Sequence, residues 1–555
     1  AVRMAGSRLR STLVLLVLGL SLVQTLVGAE EAVVVDDTNE KHHMPSASTK
    51  HHDLDAGHDE NAEEGKNGPT YEFVAEPGLL LPAQSDLKAT MALGRLVEWL
   101  KVETPFFAEI SLDMQDGVSF LKAEGDYEGG KRLAGLPIFT MITTATPSEG
   151  MPDNTPYCDL TRRWDQGLLM RAFTKPEGTA SDEEKRDHYI DSVRGSKVLV
   201  ALCLIHELKK EGGSFYQPFL DTMPRSLSQP IVWSNEAIAE LQSSPLVPAI
   251  QHARQQLHKD YRVLAQNLFT HPAQGFTEAQ YNWAMLYVSQ HMEEFRLPSR
   301  PRPVKALVPL VQFMQVDPVR GSLLTGTDGD LLDMVDITLS GFDYTAGEPL
   351  RIRKPHCFTS QCLLLNYGVL PEEENPYDHL PLVVVSGGEA NYQSVVADYL
   401  GEDSLTPEVF AAKADLLVAG SATDVALASV DARLMTAFRT LAMTADELKQ
   451  AQETVTDENP LIMYAGRKIN DENEARASKI LSEIVFNSLA SYPTGILDDR
   501  QMLDELKNEE EEFKMAIRMR IREKELLLGV LQELQDEGLP LAHPARVMLI
   551  ASRMS

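Results

Sequence analysis

The chain has 555 residues, with 51 Lys and Arg against 82 Asp and Glu and a net charge of −31. At roughly 150 residues per domain, this length predicts two to four units with room for a large core. The acidic balance has no compensating basic block, which excludes a phosphate-backbone partner and with it nucleic acid.

Arg3, Arg8 and Arg10 precede an apolar run from Ser11 to Val27, and Val27-Gly28-Ala29 supplies the small residues of a cleavage site. The pattern predicts a secretory signal peptide over residues 1–29, with Met4 as the start. The competing reading is an uncleaved membrane anchor, for which the run is short. The expected location is the secretory pathway: the ER lumen, the exterior, or a plastid reached through a bipartite signal. Residues 30–85 are acidic and poor in aromatics, so a disordered leader is expected. Its histidines, His42, His43, His51, His52 and His58, lack ligand spacing, and no metal site is expected.

From Leu87 the chain becomes globular. Leu93, Leu96, Val97 and Leu100 form one helical stripe, and Phe106 to Met114 reads as a strand. Lys197 to Glu211 reads as a helix stopped by Gly212-Gly213. Residues 280 to 370 mix short apolar runs with Gly and Pro, as a β-rich unit does. Beyond about residue 400 the pattern is almost wholly helical. Ala477, Leu481 and Ile484 share a face of a helix ended by Pro493, and Phe513, Ile517, Ile521, Leu528 and Leu531 share a face of a longer one. The four cysteines, Cys158, Cys203, Cys357 and Cys362, are too few for a disulfide scaffold. Cys357 and Cys362 could close a small loop, and buried free thiols are the alternative.

Several segments together resemble the SET-domain methyltransferases of the Rubisco large-subunit type, which include lysine and actin-histidine methyltransferases. "LVEWLK" (96–101) is similar to the opening helix of that family, and "HELKKEGGSFYQPFLDTMP" (206–224) with "VWS" (232–234) to its helical insert. "YNWAMLYVSQ" (281–290) is similar to the helix re-entering the SET core, followed by "LVPL" (307–310), "AGEPLRI" (346–352) and "LLLNYG" (363–368). "DENEAR" (471–476), "SYPTGILDD" (491–499) and "RIREKELL" (520–527) resemble its helical substrate-binding domain. The resemblance implies an α+β fold: a β-rich SET core over 87–385 with a helical insert at about 160–275, then an all-α substrate-binding domain over 400–540. It also implies S-adenosylmethionine as cofactor and a protein or peptide partner docking on the C-terminal helices.

The same resemblance exposes departures. The segment after "LVPL" ends in Asn-His in the family, where it holds S-adenosylmethionine; here those positions are Gln315 and Val316. Gln carries the amide one methylene too far out, and Val has no polar group. Of the family's Gly-x-Gly turn, Gly117 remains and Ser119 replaces the second glycine. The cation expected after the re-entering helix is replaced in Ser289-Gln290. The methyl-transfer tyrosine falls at Lys354, while the second tyrosine survives as Tyr367, followed by Gly368 and by Val369 in place of Phe. A lysine pointing into that centre adds a cation beside the sulfonium, costing about 3 to 4 kcal/mol at ~5 Å and an effective dielectric of ~20. A lysine pointing to solvent avoids this but leaves the hydroxyl missing.

Tyr367 is thus the one candidate catalytic residue, with a packed core tyrosine as its alternative role; no cofactor-binding residue is assigned. His206 and His291 are expected to be surface or core residues rather than bases. Two functions stay open. One is a SET-scaffold binding protein whose chemistry is degraded; the other is an active protein-lysine or protein-histidine methyltransferase with a displaced site.

Overall fold

The computed structural model describes residues 73–78, 81, 86–104, 106–107, 110–115, 118–144, 193–268, 275–300, 302–328, 333–339, 341–354, 357–386, 388–506 and 511–543. The expected signal peptide, most of the acidic leader, Gly117, Cys158 and the first part of the expected insert lie outside them.

Helix α1 (Asp86–Glu103) buries Leu93, Leu96 and Leu100, as its stripe requires. The strand expected over Phe106 to Met114 is two strands, β1 (Phe106–Phe107) and β2 (Ile110–Gln115), which join different sheets. β2 forms a hairpin with β3 (Val118–Ala123). β4 (Arg132–Pro137), β9 (Leu323–Asp328) and β10 (Asp333–Thr338) complete a four-stranded sheet ordered β1-β4-β10-β9. A three-stranded sheet pairs β5 (Ile142–Thr143) and β6 (Met292–Phe295) on either side of β7 (Val304–Leu307). The chain leaving β6 crosses β9 so closely that a Cβ on Gly326 would stand 2.0 Å from the Arg296 carbonyl oxygen. Only glycine fits there.

The insert is helical: α2 (Val193–Leu208), α3 (Gln217–Leu220), α4 (Asn235–Ala239) and α5 (Leu246–Leu268). α2 begins four residues before the expected Lys197 and ends at Leu208, the chain then turning to Gly213. α6 (Glu278–His291) starts at a reciprocal cap between Thr277 and Gln280 and is buried from Tyr281 through Val288, making it the axis of the first core. It also means that the stretch expected to be β-rich begins with a helix. Part of the expected leader is ordered against α6. Glu76 donates its amide to Ala279 O (3.0 Å), Asn282 donates to Val74 O (3.0 Å), and Leu81 is buried.

A second core begins at Leu380, inside the segment expected to belong to the first domain. β12 (Leu380–Val383) pairs antiparallel with β15 (Asp424–Leu427), a strand in the region expected to be helical. Around them lie α9 (Pro407–Ala419), α10 (Ala432–Leu441), α11 (Ala445–Thr454) and α13 (Asp471–Ser491), preceded by the single-turn α8 (Gln393–Val396), with α12 (Leu461–Ala465) packed between. Ala477, Leu481 and Ile484 of α13 are fully buried, as their spacing predicts. After α14 (Ile496–Glu505), the long α15 (Glu511–Asp536) passes through both cores. Its Ala516 and Met519 pack in the first, and its Leu527, Val530, Leu531 and Leu534 in the second.

Candidate functional site

β8 (Gln315–Val316) and β11 (Arg351–Ile352) pair in parallel, which brings the end of the "LVPLVQFMQV" run beside the segment that carries Lys354. The Gln315 amide donates to Leu350 O (3.0 Å) and the Asp317 amide to Ile352 O (3.1 Å), so this backbone is used for pairing. The Gln315 side chain is exposed and Val316 half-buried.

α7 (Ser360–Tyr367) starts at Thr359, whose hydroxyl accepts from the Cys362 amide, and ends at Gly368 with φ 65°. A Cβ at Gly368 would lie 2.6 Å from the Ser228 carbonyl carbon, so the insert loop clamps this helix end and fixes Tyr367. Gln229 reinforces the clamp, its amide nitrogen donating to Leu286 O (2.9 Å) and Asn366 O (3.3 Å). Cys357 and Cys362 are disulfide-bonded across the start of α7, and Cys203 is disulfide-bonded as well.

Lys354 points inward. It is 3% exposed, its ammonium is ion-paired and hydrogen-bonded to Glu293 (5% exposed) on β6, and it stands 5.2 Å from the centre of the Tyr367 ring. The solvent-facing alternative for Lys354 is therefore not adopted. Burial pushes the Glu293 carboxyl above its ordinary range, and the charge of Lys354 pulls it part of the way back. Burial, then the Glu293 charge, raises the Tyr367 phenol far above its usual value, so it stays neutral. His291 belongs to the same group, packed 4.6 Å from the Tyr287 ring; burial, then the Lys354 charge, holds its imidazole down to about 3. Such an imidazole holds a proton only weakly at neutral pH. The row continues from Tyr287, which donates to Gln312, and Gln312 donates to Thr222 (2.8 Å).

Three comparisons bear on this geometry. Residues 405–527 match the family model for Rubisco LSMT substrate-binding. The SET domain of LSMT bound to lysine and AdoHcy superposes with a TM-score of 0.58 at 17% identity, covering 82% of this chain and 95% of that one. The chain has the SET fold and carries the Rubisco LSMT substrate-binding domain. Rubisco LSMT bound to AdoMet gives a TM-score of 0.56 at the same identity, over 82% and 96% of the two chains. Actin-histidine N-methyltransferase of Callithrix jacchus is 26% identical over 385 residues, 65% of this chain and 59% of the relative. The human protein of that name is 25% identical over 382 residues, with the same shares. The chain thus spans 59% of the length of these curated relatives.

Four of the positions that the resemblance links to S-adenosylmethionine lie among the described residues. Gln315 is exposed and Val316 offers no polar side-chain group. Gln290, where a cation is expected, donates instead to the Tyr367 carbonyl oxygen (2.9 Å). Ser119 lies in regular antiparallel register opposite Met114 on the β2–β3 hairpin. Among the described residues no cluster of His, Cys, Asp or Glu suits a metal ion.

The structure brings Lys354 and Tyr367 together and leaves Gln315 outside that cluster. Sequence reasoning missed Glu293, which joins them. Its signal was the alternation in β6, where Glu293 is in phase with Phe295 and both point inward. Sequence reasoning also expected an inward Lys354 to add an unbalanced cation; in the structure Glu293 pairs with that charge.

Proposed function

We propose that the protein is a binding module on a SET scaffold, with the acceptor centre beside Tyr367 filled by the chain's own Lys354. The observation that carries this reading is the buried Lys354–Glu293 pair across the Tyr367 ring. Admitting a foreign amine means withdrawing Lys354 and leaving Glu293 uncompensated in the interior, at a cost of about 3–5 kcal/mol. That cost reduces occupancy by a foreign side chain by roughly 100- to 4,000-fold. The partner in this reading is a protein or peptide held by the C-terminal helices, in line with the substrate-binding family model over 405–527. A location in the secretory pathway is part of the proposal and accords with the bonded cysteines. The opposing reading, an S-adenosylmethionine-dependent protein-lysine or protein-histidine methyltransferase, is favoured by the names of the relatives and by the retained Tyr367.

Pulse acetylation read by mass spectrometry tests the occupancy. Lys354 is expected to react at least ~100-fold more slowly than Lys468, whose side chain is 55% exposed. Equal rates for the two lysines contradict a filled centre.

A further inference from the structure

Helix α15 meets the first core through consecutive charged residues. Arg522 donates to Ser360 Oγ (2.8 Å) and to Glu373 O (3.1 Å), which fastens α15 to the start of α7. Glu523, next along, is fully buried. Its Oε1 accepts from Ser244 Oγ (2.7 Å) and from Gln361 Nε2 (2.6 Å), and its Oε2 from the Tyr492 hydroxyl (2.8 Å). The three donors come from separate places: the loop between α4 and α5 of the insert, the first turn of α7, and the residue after α13. One carboxylate therefore joins the insert, the SET core and the C-terminal domain.

We infer that Glu523 is a proton-operated latch between the C-terminal helical domain and the SET core, seated firmly when protonated and loosened when charged. All three hydrogen-bond partners are uncharged donors, and three such bonds, with the charge of Lys524, return only part of the cost of taking a carboxylate out of water. Burial accordingly raises the Glu523 carboxyl to about 7. The protonated form also has partners, because the hydroxyls of Ser244 and Tyr492 can each turn to accept.

The charged and titratable neighbours do not provide an alternative switch. Arg520 is paired with Asp499 (3.0 Å) and Glu240 (2.6 Å), and Lys524 with Asp499, so two cations balance two anions. Arg520 holds its proton at any working pH. Lys524, lowered first by burial, keeps its ion pair with Asp499. The Tyr492 phenol is pushed well above its ordinary range by burial and then by Glu523. Glu523 is left as the group that changes charge near neutrality. Its closed-state value lies above the ordinary 4.5, so the closed state binds more protons across that window. The stability it contributes is present at and below 4.5 and is lost as pH rises through about 7. Gln361 lies on α7, the helix that ends at Tyr367, so the latch acts on the element that shapes the candidate centre.

Amide hydrogen exchange of the full chain tests the latch, followed at residues 241–246 and 360–367 from about pH 5 to pH 8.5 and corrected for intrinsic rates. In the wild type the local opening constant is expected to rise on the order of 100-fold across this range. Glu523→Gln is expected to be flat. Tyr492→Phe keeps the rise but moves its midpoint upward, because a donor to the charged form is gone. Parallel profiles for the wild type and Glu523→Gln overturn the inference. So does an unmoved midpoint in Tyr492→Phe, which decides the matter even if Glu523→Gln does not fold.

Discussion

Glu293→Gln is expected to cost the fold about 3–5 kcal/mol, because it leaves the Lys354 ammonium buried without its counter-charge. The face of the Tyr367 ring, 5.2 Å away, offsets part of this. The double substitution Glu293→Leu with Lys354→Met removes both charges and keeps the volume apolar. It is expected to recover most of the loss, since well-packed hydrophobic replacements of a buried pair are often neutral. Urea unfolding of the wild type, Glu293→Leu, Lys354→Met and the double variant gives the coupling directly. A single variant costing less than ~1 kcal/mol, with no recovery in the double, would mean that the pair is solvated and the centre open.

Arg520→Met is the second substitution expected to have a large effect. Arg520 and Asp499 are both fully buried, and the guanidinium also donates to Glu240 Oε2 (2.6 Å). Asp499 keeps Lys524, but Glu240 of the insert loses its link to α15. A loss of about 3–5 kcal/mol is expected. Because α15 is shared by the two cores, the calorimetric transition is also expected to split as they come apart. Arg500→Ala is the control: Arg500 and its partner Glu525 have side chains 54% and 43% exposed, and a pair of that kind is worth under ~1 kcal/mol. Equal effects from Arg520→Met and Arg500→Ala would contradict the bridging role of α15.

Much of this architecture was legible because helices announce themselves locally. Ala477, Leu481 and Ile484 share a face at spacings of three and four, and all three are buried. In α15, Ile517, Ile521 and Leu531 are buried as their spacing predicts. What the pattern could not say is that one end of this helix belongs to a different core from the other, since periodicity gives a face and not its neighbours. β15 was missed for a related reason. Its four residues lie among helices, and its partner is Leu380–Val383, far back in the chain. The break between β1 and β2 escaped notice because no Gly or Pro separates the apolar Phe106–Phe107 from the alternating Ile110–Gln115.

At the candidate site, Lys354 and Tyr367 were found through the resemblance, and Glu293 was not, because the ion pair spans 61 positions. A charge at an inward strand position is the one local trace such a pair leaves. The disulfide between Cys357 and Cys362 stayed open at the sequence level for want of geometry, and the structure closes it.

The proposed binding role requires a SET framework that no longer holds a methyl donor. Calorimetric titration of the purified protein with S-adenosylmethionine measures this most directly. A flat titration up to millimolar ligand is the result expected from the exposed Gln315, the apolar Val316 and the internally bonded Gln290. Saturable binding with a defined stoichiometry would contradict it.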